Sequence, residues 1–346
     1  MSMSSNEEES KPESGAPAAP NNAAASRLWK AFGLFLVLLA LLPCLYMVHV
    51  AYITGPLAAN KTVVVSKGTP VYDIGFLLEE NGIVSNAFVF RVAVHLLASG
   101  NIKAGEYAFT AGETMAEVIA MMRDGAVVVH KFAVPEGLTS NEIVDLLRSE
   151  RALTGSIDDV PDEGSLMPAT YNFTYGDERG ALIDTMKRKR RELLADLWAK
   201  RDPNLPLQSP EEALVMASIV EKETGKKAEE RPRVAGVFYN RLKSGMRLQS
   251  DPTVIYAITN GEGPMLHPLT RADLDTISPY NTYLNAGLPP KPICNPGKAA
   301  IRAALHPEAN DYIYFVADGT GGHVFAHDLA SHNRNVAQWN RINRQP

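Results

Sequence analysis

From Ala31 to Ile53 the chain reads AFGLFLVLLALLPCLYMVHVAYI, interrupted only by mild residues such as Pro43 and His49. A run of that length crosses a bilayer as a helix, since in hydrocarbon each backbone N–H and C=O must be satisfied within its own segment. It therefore divides the chain between two compartments before any other element is considered. Arg27 and Lys30 precede it and Thr54 to Asn60 carries no charge, so the positive-inside rule puts the N-terminus in the cytoplasm and everything from about residue 57 outside. A cleaved signal peptide is the weaker alternative, because the run exceeds a usual h-region and the small-residue spacing after it is poor. Residues 1–26 are rich in Glu, Ser, Pro, Asn and Ala and have too little apolar surface for a core. The expectation is a disordered cytoplasmic tail over 1–26 and a transmembrane anchor over 27–56.

With 346 residues the chain has room for about two globular domains beyond this anchor. A formal charge of -5 argues against a general nucleic-acid binder. Cys44 and Cys294 are far apart, and Cys44 falls inside the apolar run, so they form neither a disulfide framework nor a metal site. No GxxxxGKS loop and no HExxH occurs, which leaves nucleotide and metal chemistry without support and implies no cofactor. His306, His323, His327 and His332 are scattered and read as surface or structural residues.

One short pattern occurs three times before residue 151: VSKGTPVYDIGFLL from Val65, FTAGETMAEVIAMM from Phe109 and VPEGLTSNEIVDLL from Val134. Each copy has an apolar residue, a glycine three later (Gly68, Gly112, Gly137), an aliphatic six beyond (Ile74, Val118, Ile143), then an apolar pair. This spacing predicts strand, turn and amphipathic helix three times. The uneven intervals argue against a solenoid.

The stretch SPEEALVMASIVEKETG, Ser209 to Gly225, predicts a buried helix. Ser209 and Glu212 form a capping box, Pro210 occupies a tolerated first-turn position, and Gly225 is placed for a left-handed stop. Ala213 to Val220 is apolar on nearly every face, so the helix runs through an interior and Glu221 leaves from the core. Burial and the negative end of the helix dipole both favour a protonated carboxyl, which is what a general acid requires. The plainer reading makes Glu221, Lys222 and Glu223 a solvated last turn. Helix geometry points Glu223 about 160° away from Glu221.

The remaining elements are expected in order: a helix over Ile183–Arg201 whose basic run Lys187–Arg191 forms a solvated face or touches anionic groups, a helix over Arg231–Leu242, and a short one over Pro252–Thr259. A further helix starts at Asn295 and Pro296, a hairpin pairs Tyr312–Val316 with His323–Ala326 about ADGTGG, and a last helix begins near Leu329.

SIVEKET at Ser218–Thr224, NRL at Asn240–Leu242, MRLQSDPTVIY at Met246–Tyr256, YNTY at Tyr280–Tyr283, GLPP at Gly287–Pro290 and YFVADGTGGHVF at Tyr314–Phe325 together resemble, in order, the YceG-like (MltG) endolytic murein transglycosylases. The resemblance implies an α+β protein with a single N-terminal transmembrane helix, a LysM-like βα module over 57–150 and a mainly helical catalytic domain with a β-hairpin over 151–346. The module would either touch glycan or act as a rigid spacer. Glu163–Phe173, EGSLMPATYNF, resembles a family segment but departs from it at Ser165, Met167 and Ala169, so position 169 receives no catalytic role.

The implied activity is non-hydrolytic cleavage of the bond between N-acetylmuramic acid and N-acetylglucosamine, leaving 1,6-anhydro ends, at the outer side of the cytoplasmic (inner) membrane. The resemblance places the acid at the first Glu of VEKE, Glu221. Candidate groove residues are Asn240, Arg241, Gln249, Asp251, Tyr256, Tyr280, Asn281 and Tyr283. Implied partners are peptidoglycan strands, the membrane through one helix, and penicillin-binding wall synthases, with no nucleic acid. Two rivals stand beside this reading: a hydrolytic muramidase using Asp251 or Glu223 as second carboxylate, and a non-catalytic LysM-type wall anchor.

Overall fold

Each glycine of the threefold pattern turns the chain with positive φ, at +84° for Gly68, +78° for Gly112 and +79° for Gly137, a region where only glycine sits without strain. The strand and helix flanking each turn follow in a computed structural model that describes residues 22–343. β1 (Lys61–Val65) leads to α2 (Val71–Glu80), β2 (Gly105–Phe109) to α4 (Met115–Asp124), and β3 (Val129–Ala133) to α5 (Ser140–Ser149), with α3 (Ala87–Ala98) between the first two copies. Thr114 and Thr139 close reciprocal capping boxes with Glu117 and Glu142, whereas the first copy has Pro70 at that place and no side-chain cap.

The expected tail lies outside the described residues as far as residue 21. Residues 22–26 already belong to α1 (Asn22–Tyr52), which starts earlier than the apolar run alone suggests. Within it Ser26–Tyr52 is long and apolar enough to cross a membrane, with mean hydropathy 2.5 over its best window and no part of that window buried.

The contacts divide the chain into two compact units. The first runs to Val63 and takes in Lys67–Ala104 and Ala108–Ala126; the second holds Val64–Ser66, Gly105–Tyr107 and the described chain from Val127 onward. In the first unit α3 packs on α2, α4 and α1, burying Ile74, Leu78, Phe90, Val94, Val118 and Met122. The second unit already contains the third copy of the pattern, so the units part at Ala126 and Val127 rather than at the expected residue 150. The cause is long-range pairing. β3 joins β4 (Thr170–Thr174) antiparallel, from Val129 opposite Thr174 to Ala133 opposite Thr170. Ile143 and Leu147 of α5 then share a core with Tyr171, Phe173, Leu182, Ile183 and Met186. A local repeat specifies a turn and a helix, but which sheet its strand enters is decided elsewhere.

The rest of the second unit is built round α7 (Pro210–Glu223), which is buried without a break from Ala213 to Glu221. It packs against α6 (Arg179–Ala199), α8 (Arg231–Lys243), α9 (Asp251–Thr259) and α10 (Lys298–Leu305). Leu214, Ile219 and Val220 are each at most 4% exposed, and burial of such side chains contributes about 1.5–3 kcal/mol apiece. The one hydroxyl inside this stretch is satisfied: Ser218 Oγ donates to the Val215 carbonyl at 2.7 Å and accepts from the Ile293 amide at 3.0 Å. β5 (Tyr314–Ala317) and β6 (His323–Ala326) form the hairpin, followed by α11 (Leu329–Ile342). On α6 the basic run is partly absorbed locally, with Lys189 over the Tyr171 ring at 4.8 Å and Arg188 paired to Glu192.

The two ends of α7 differ in detail from the sequence reading. Ser209 accepts from the Glu212 amide at 3.2 Å, but Glu212 Oε2 accepts from the Gln208 amide at 2.7 Å, one residue before the cap. At the other end Thr224 is extended, with φ −84° and ψ 121°, and Gly225 is not left-handed. A Cβ on Gly225 would meet the Gly321 carbonyl oxygen at 2.8 Å, so glycine there admits the hairpin rather than terminating the helix.

Candidate active site

The last turn of α7 carries two carboxylates to opposite sides. Glu223 lines a groove of about 430 Å³ with Phe238 and Arg241 of α8, Gln249 and Asp251 ahead of and at the start of α9, Tyr283, Tyr314 and Phe315 of β5, and Leu329, His332 and Asn333 of α11. Desolvation raises the Glu223 carboxyl from its ordinary value to about 7; Asp251 adds to the rise, while Ser250 and Arg241 oppose it. Ser250 occupies the N-cap position of α9 without capping it; its Oγ donates to Glu223 Oε1 at 2.6 Å instead.

The groove wall is held by buried polar links. Thr282 Oγ1 accepts from the Ser250 amide at 3.0 Å and lies 2.8 Å from Thr253 Oγ1, and the Gln249 amide donates to the Thr282 carbonyl at 3.2 Å. These bonds dock the YNTY loop against the start of α9. Gln249 has φ +51°, a left-handed conformation that a side chain other than glycine adopts at a cost. Arg241 donates from Nε to the Ile313 carbonyl at 2.7 Å and from Nη1 to the Leu248 carbonyl at 2.5 Å, tying β5 to α8, and burial pulls its pKa below the usual guanidinium range. Tyr283 donates to Asp251 Oδ1 at 2.6 Å. His332 stacks on Tyr314 with ring centroids 4.9 Å apart, and burial and then Arg241 hold its pKa below the ordinary histidine value, favouring the neutral ring.

Glu221 faces away from this groove. Its side chain is 6% exposed; Oε1 accepts from Arg231 Nη2 and Oε2 from the Gly297 amide, both at 2.8 Å. Arg231 also lies 3.7 Å from Glu136, whose carboxyl is raised by burial and then by Glu221. A Cβ on Gly297 would meet Glu136 Oε1 at 1.9 Å, so this knot depends on the glycine before α10.

Of the eight groove candidates, Arg241, Gln249, Asp251 and Tyr283 come together beside Glu223. The other four lie elsewhere. Asn240 donates to the carbonyls of Asn310 and Tyr312, both at 2.9 Å, and buried Asn281 donates to those of Leu274 and Thr276, so each amide organises a loop. Tyr256 and Tyr280 pack with ring centroids 4.9 Å apart, next to Glu163. Glu163 Oε1 accepts from the Ser140 amide and from Asn295 Nδ2, each at 3.0 Å, and burial raises its carboxyl to about 7. Sequence reading missed Ser250 and His332. Ser250 lies inside the MRLQSDPTVIY motif, but its contact with the groove, like that of His332, depends on a partner distant in sequence.

A buried carboxyl pushed up toward neutrality, a serine bonded to it and tyrosines along a polar wall make this groove the candidate acid–base site. The model of the YceG-like family matches residues 63–338, and the chain belongs to that family. It is similar to the endolytic murein transglycosylase of Bacillus subtilis (strain 168), 32% identical over 311 residues that cover 80% of this chain and 84% of the relative. It is also similar to the endolytic murein transglycosylase of Streptococcus pneumoniae (strain D39), 30% identical over 88% of this chain and spanning 64% of that longer relative. A crystallised YceG-like protein from Listeria monocytogenes has a similar fold, with TM-score 0.51, 33% identity and coverage of 80% of this chain and 98% of that one.

Proposed function

We propose that this chain is a membrane-anchored, endolytic lytic transglycosylase of peptidoglycan, and that Glu223 rather than Glu221 is its general acid and base. The observation that carries the assignment is the Glu223 carboxyl itself: it lines the groove and is raised to about 7, so a large fraction bears a transferable proton at neutral pH. Glu221 has both oxygens already taken by the Arg231 guanidinium and the Gly297 amide, an arrangement suited to holding α7 in place.

In this mechanism Glu223 gives its proton to the oxygen joining N-acetylmuramic acid to N-acetylglucosamine as the C1–O bond breaks. The resulting carboxylate then takes the proton of the muramyl C6 hydroxyl, whose oxygen closes on C1. The product is a 1,6-anhydro end and the acid is regenerated without water. One carboxylate suffices because the nucleophile is tethered to the reacting sugar. Ser250 positions the acid, and Arg241, Gln249, Asp251 and Tyr283 line the strand's path.

The same reading makes α1 a single-pass anchor in the inner membrane, with the preceding tail cytoplasmic and the chain from about residue 57 onward outside. The first unit then serves as a LysM-like module or spacer, and wall synthases are neighbours. One observation favours a second mechanism. Asp251 shares the groove with Glu223, as a water-using muramidase requires of its second carboxylate. Mass spectrometry of peptidoglycan digested by the full chain separates these: anhydro ends support the transglycosylase, reducing ends the muramidase, and intact strands would leave only a binding protein.

A further inference from the structure

We infer that α3, with the neighbouring turn of α2, is seated on the phospholipid bilayer at the level of the outer headgroups, so that the first unit lies on the membrane instead of hanging free from its anchor. The inference rests on reading α1 as the membrane span. It begins with composition: α3 reads AFVFRVAVHLLA, with only Arg91 and His95 breaking an apolar helix of 12 residues. Half of that helix is spent on the core, through Val89, Phe90, Ala93 and Val94. The other half is exposed: Leu96 is 77% exposed and Phe88 60% exposed, and Tyr72 and Phe76 of α2 lie open beside Phe88.

What covers this face follows from α1. The last two turns of α1, through Cys44, Val48 and Tyr52, run beside Leu96 and Leu97 of α3 and enclose with them an apolar cleft of about 260 Å³. Ser26–Tyr52 is 27 residues long. At 1.5 Å per residue such a helix measures ~40 Å, nearly the full thickness of a bilayer with its headgroups. With Tyr52 at the outer edge, Cys44 lies ~12 Å inward, near the boundary of the hydrocarbon. Leu96 lines the cleft whose α1 wall runs from Cys44 to Tyr52, and therefore lies within that outer ~12 Å of the span. The aromatic members suit an interfacial position, and Arg91 lies 5.3 Å above Tyr72 and 5.2 Å above Phe88, a cation held on rings at the height of lipid phosphates.

The test uses the full chain with Cys44→Ser in nanodiscs of phosphatidylethanolamine and phosphatidylglycerol. The buried Cys294 stays as it is. An environment-sensitive fluorophore is attached in turn to Leu96→Cys, Phe88→Cys, Leu38→Cys in the span and Lys187→Cys on α6. Nitroxide-bearing lipid and aqueous iodide then serve as quenchers. The expected result is loss of emission with nitroxide lipid and protection from iodide at 38, 88 and 96, with the reverse at 187. A lipid-exposed label at 38 together with iodide-exposed labels at 88 and 96 leaves the anchor intact and overturns the seating. Labels at 88 and 96 shielded from both quenchers also overturn it, because protein then covers the face. An aqueous label at 38 removes the anchor and the seating together.

Discussion

Replacing each carboxylate of the α7 terminus by its amide should move stability in opposite directions. Glu223 has its carboxyl raised from 4.5 to about 7 in the fold, so its neutral form is the one the native state prefers. A carboxyl raised on folding favours the native state fully below the unfolded value, and that advantage disappears as pH rises through the folded one. The full shift corresponds to at most ~3 kcal/mol, and to less where solvent reaches the group. Glu223→Gln should therefore gain in melting temperature relative to the parent between pH 5 and pH 8, by up to several degrees. Glu163, raised to about 7 by its own burial, is present in both proteins and cancels in the difference. Turnover should fall by ~10²–10⁴-fold, since the amide has no proton to transfer.

Glu221→Gln leaves Arg231 facing only the more distant Glu136, and breaking a buried ion pair costs ~3–5 kcal/mol, with the remaining neighbour keeping the loss near the lower end. It should melt earlier at neutral pH, where the parent keeps the pair ionised, while retaining measurable turnover at low temperature. Thermal melts across pH together with anhydro-product assays decide the matter. A fully active Glu223→Gln protein, or one whose melting difference from the parent is flat between pH 5 and 8, refutes the assignment. A stable but inactive Glu221→Gln protein would return the acid to the first glutamate.

Turnover by the parent should decline above about pH 7 as Glu223 loses its proton, measured as initial rates on purified glycan strands. Gly225→Ala should lower the melting temperature and the activity together, because the new Cβ would stand 2.8 Å from the Gly321 carbonyl and push the hairpin off the end of α7. Asn295→Ala removes donors to the Leu138 carbonyl, Ser140 and Glu163 and the acceptor of the Leu166 amide, so denaturant melts should show a loss of several kcal/mol, as expected when buried partners are orphaned. A reporter active only outside the cytoplasm should work when fused after Gln345 and fail when fused before Ser26; the opposite result would reverse the topology read from Arg27 and Lys30.

Elements with a local signature were legible from the chain alone. The run Ala213–Val220 announced the buried helix, and the three glycines before α2, α4 and α5 announced three turns, which prove to be left-handed. The divergence of Glu221 and Glu223 also followed from helix geometry, but which side held the groove did not. That depended on Ser250 and His332 meeting α7 from α9 and α11, partners no periodicity connects. Likewise Asn240 and Asn281 have the chemistry to hold sugar, yet the carbonyls that occupy them come from loops whose course the sequence leaves open. Gly225 shows the same limit in reverse: the residue was noticed, but its reason lay in a hairpin far along the chain.

The groove takes one wall from α7 and another from α11, the last helix described. During synthesis the acid-bearing helix emerges well before Leu329, His332 and Asn333 exist to enclose it. A chain without those residues would carry Glu223 in a groove open on that side. In the proposed role, the capacity to cut the wall would depend on α11 having been made, so a product stalled before Leu329 would carry the acid in an incomplete groove.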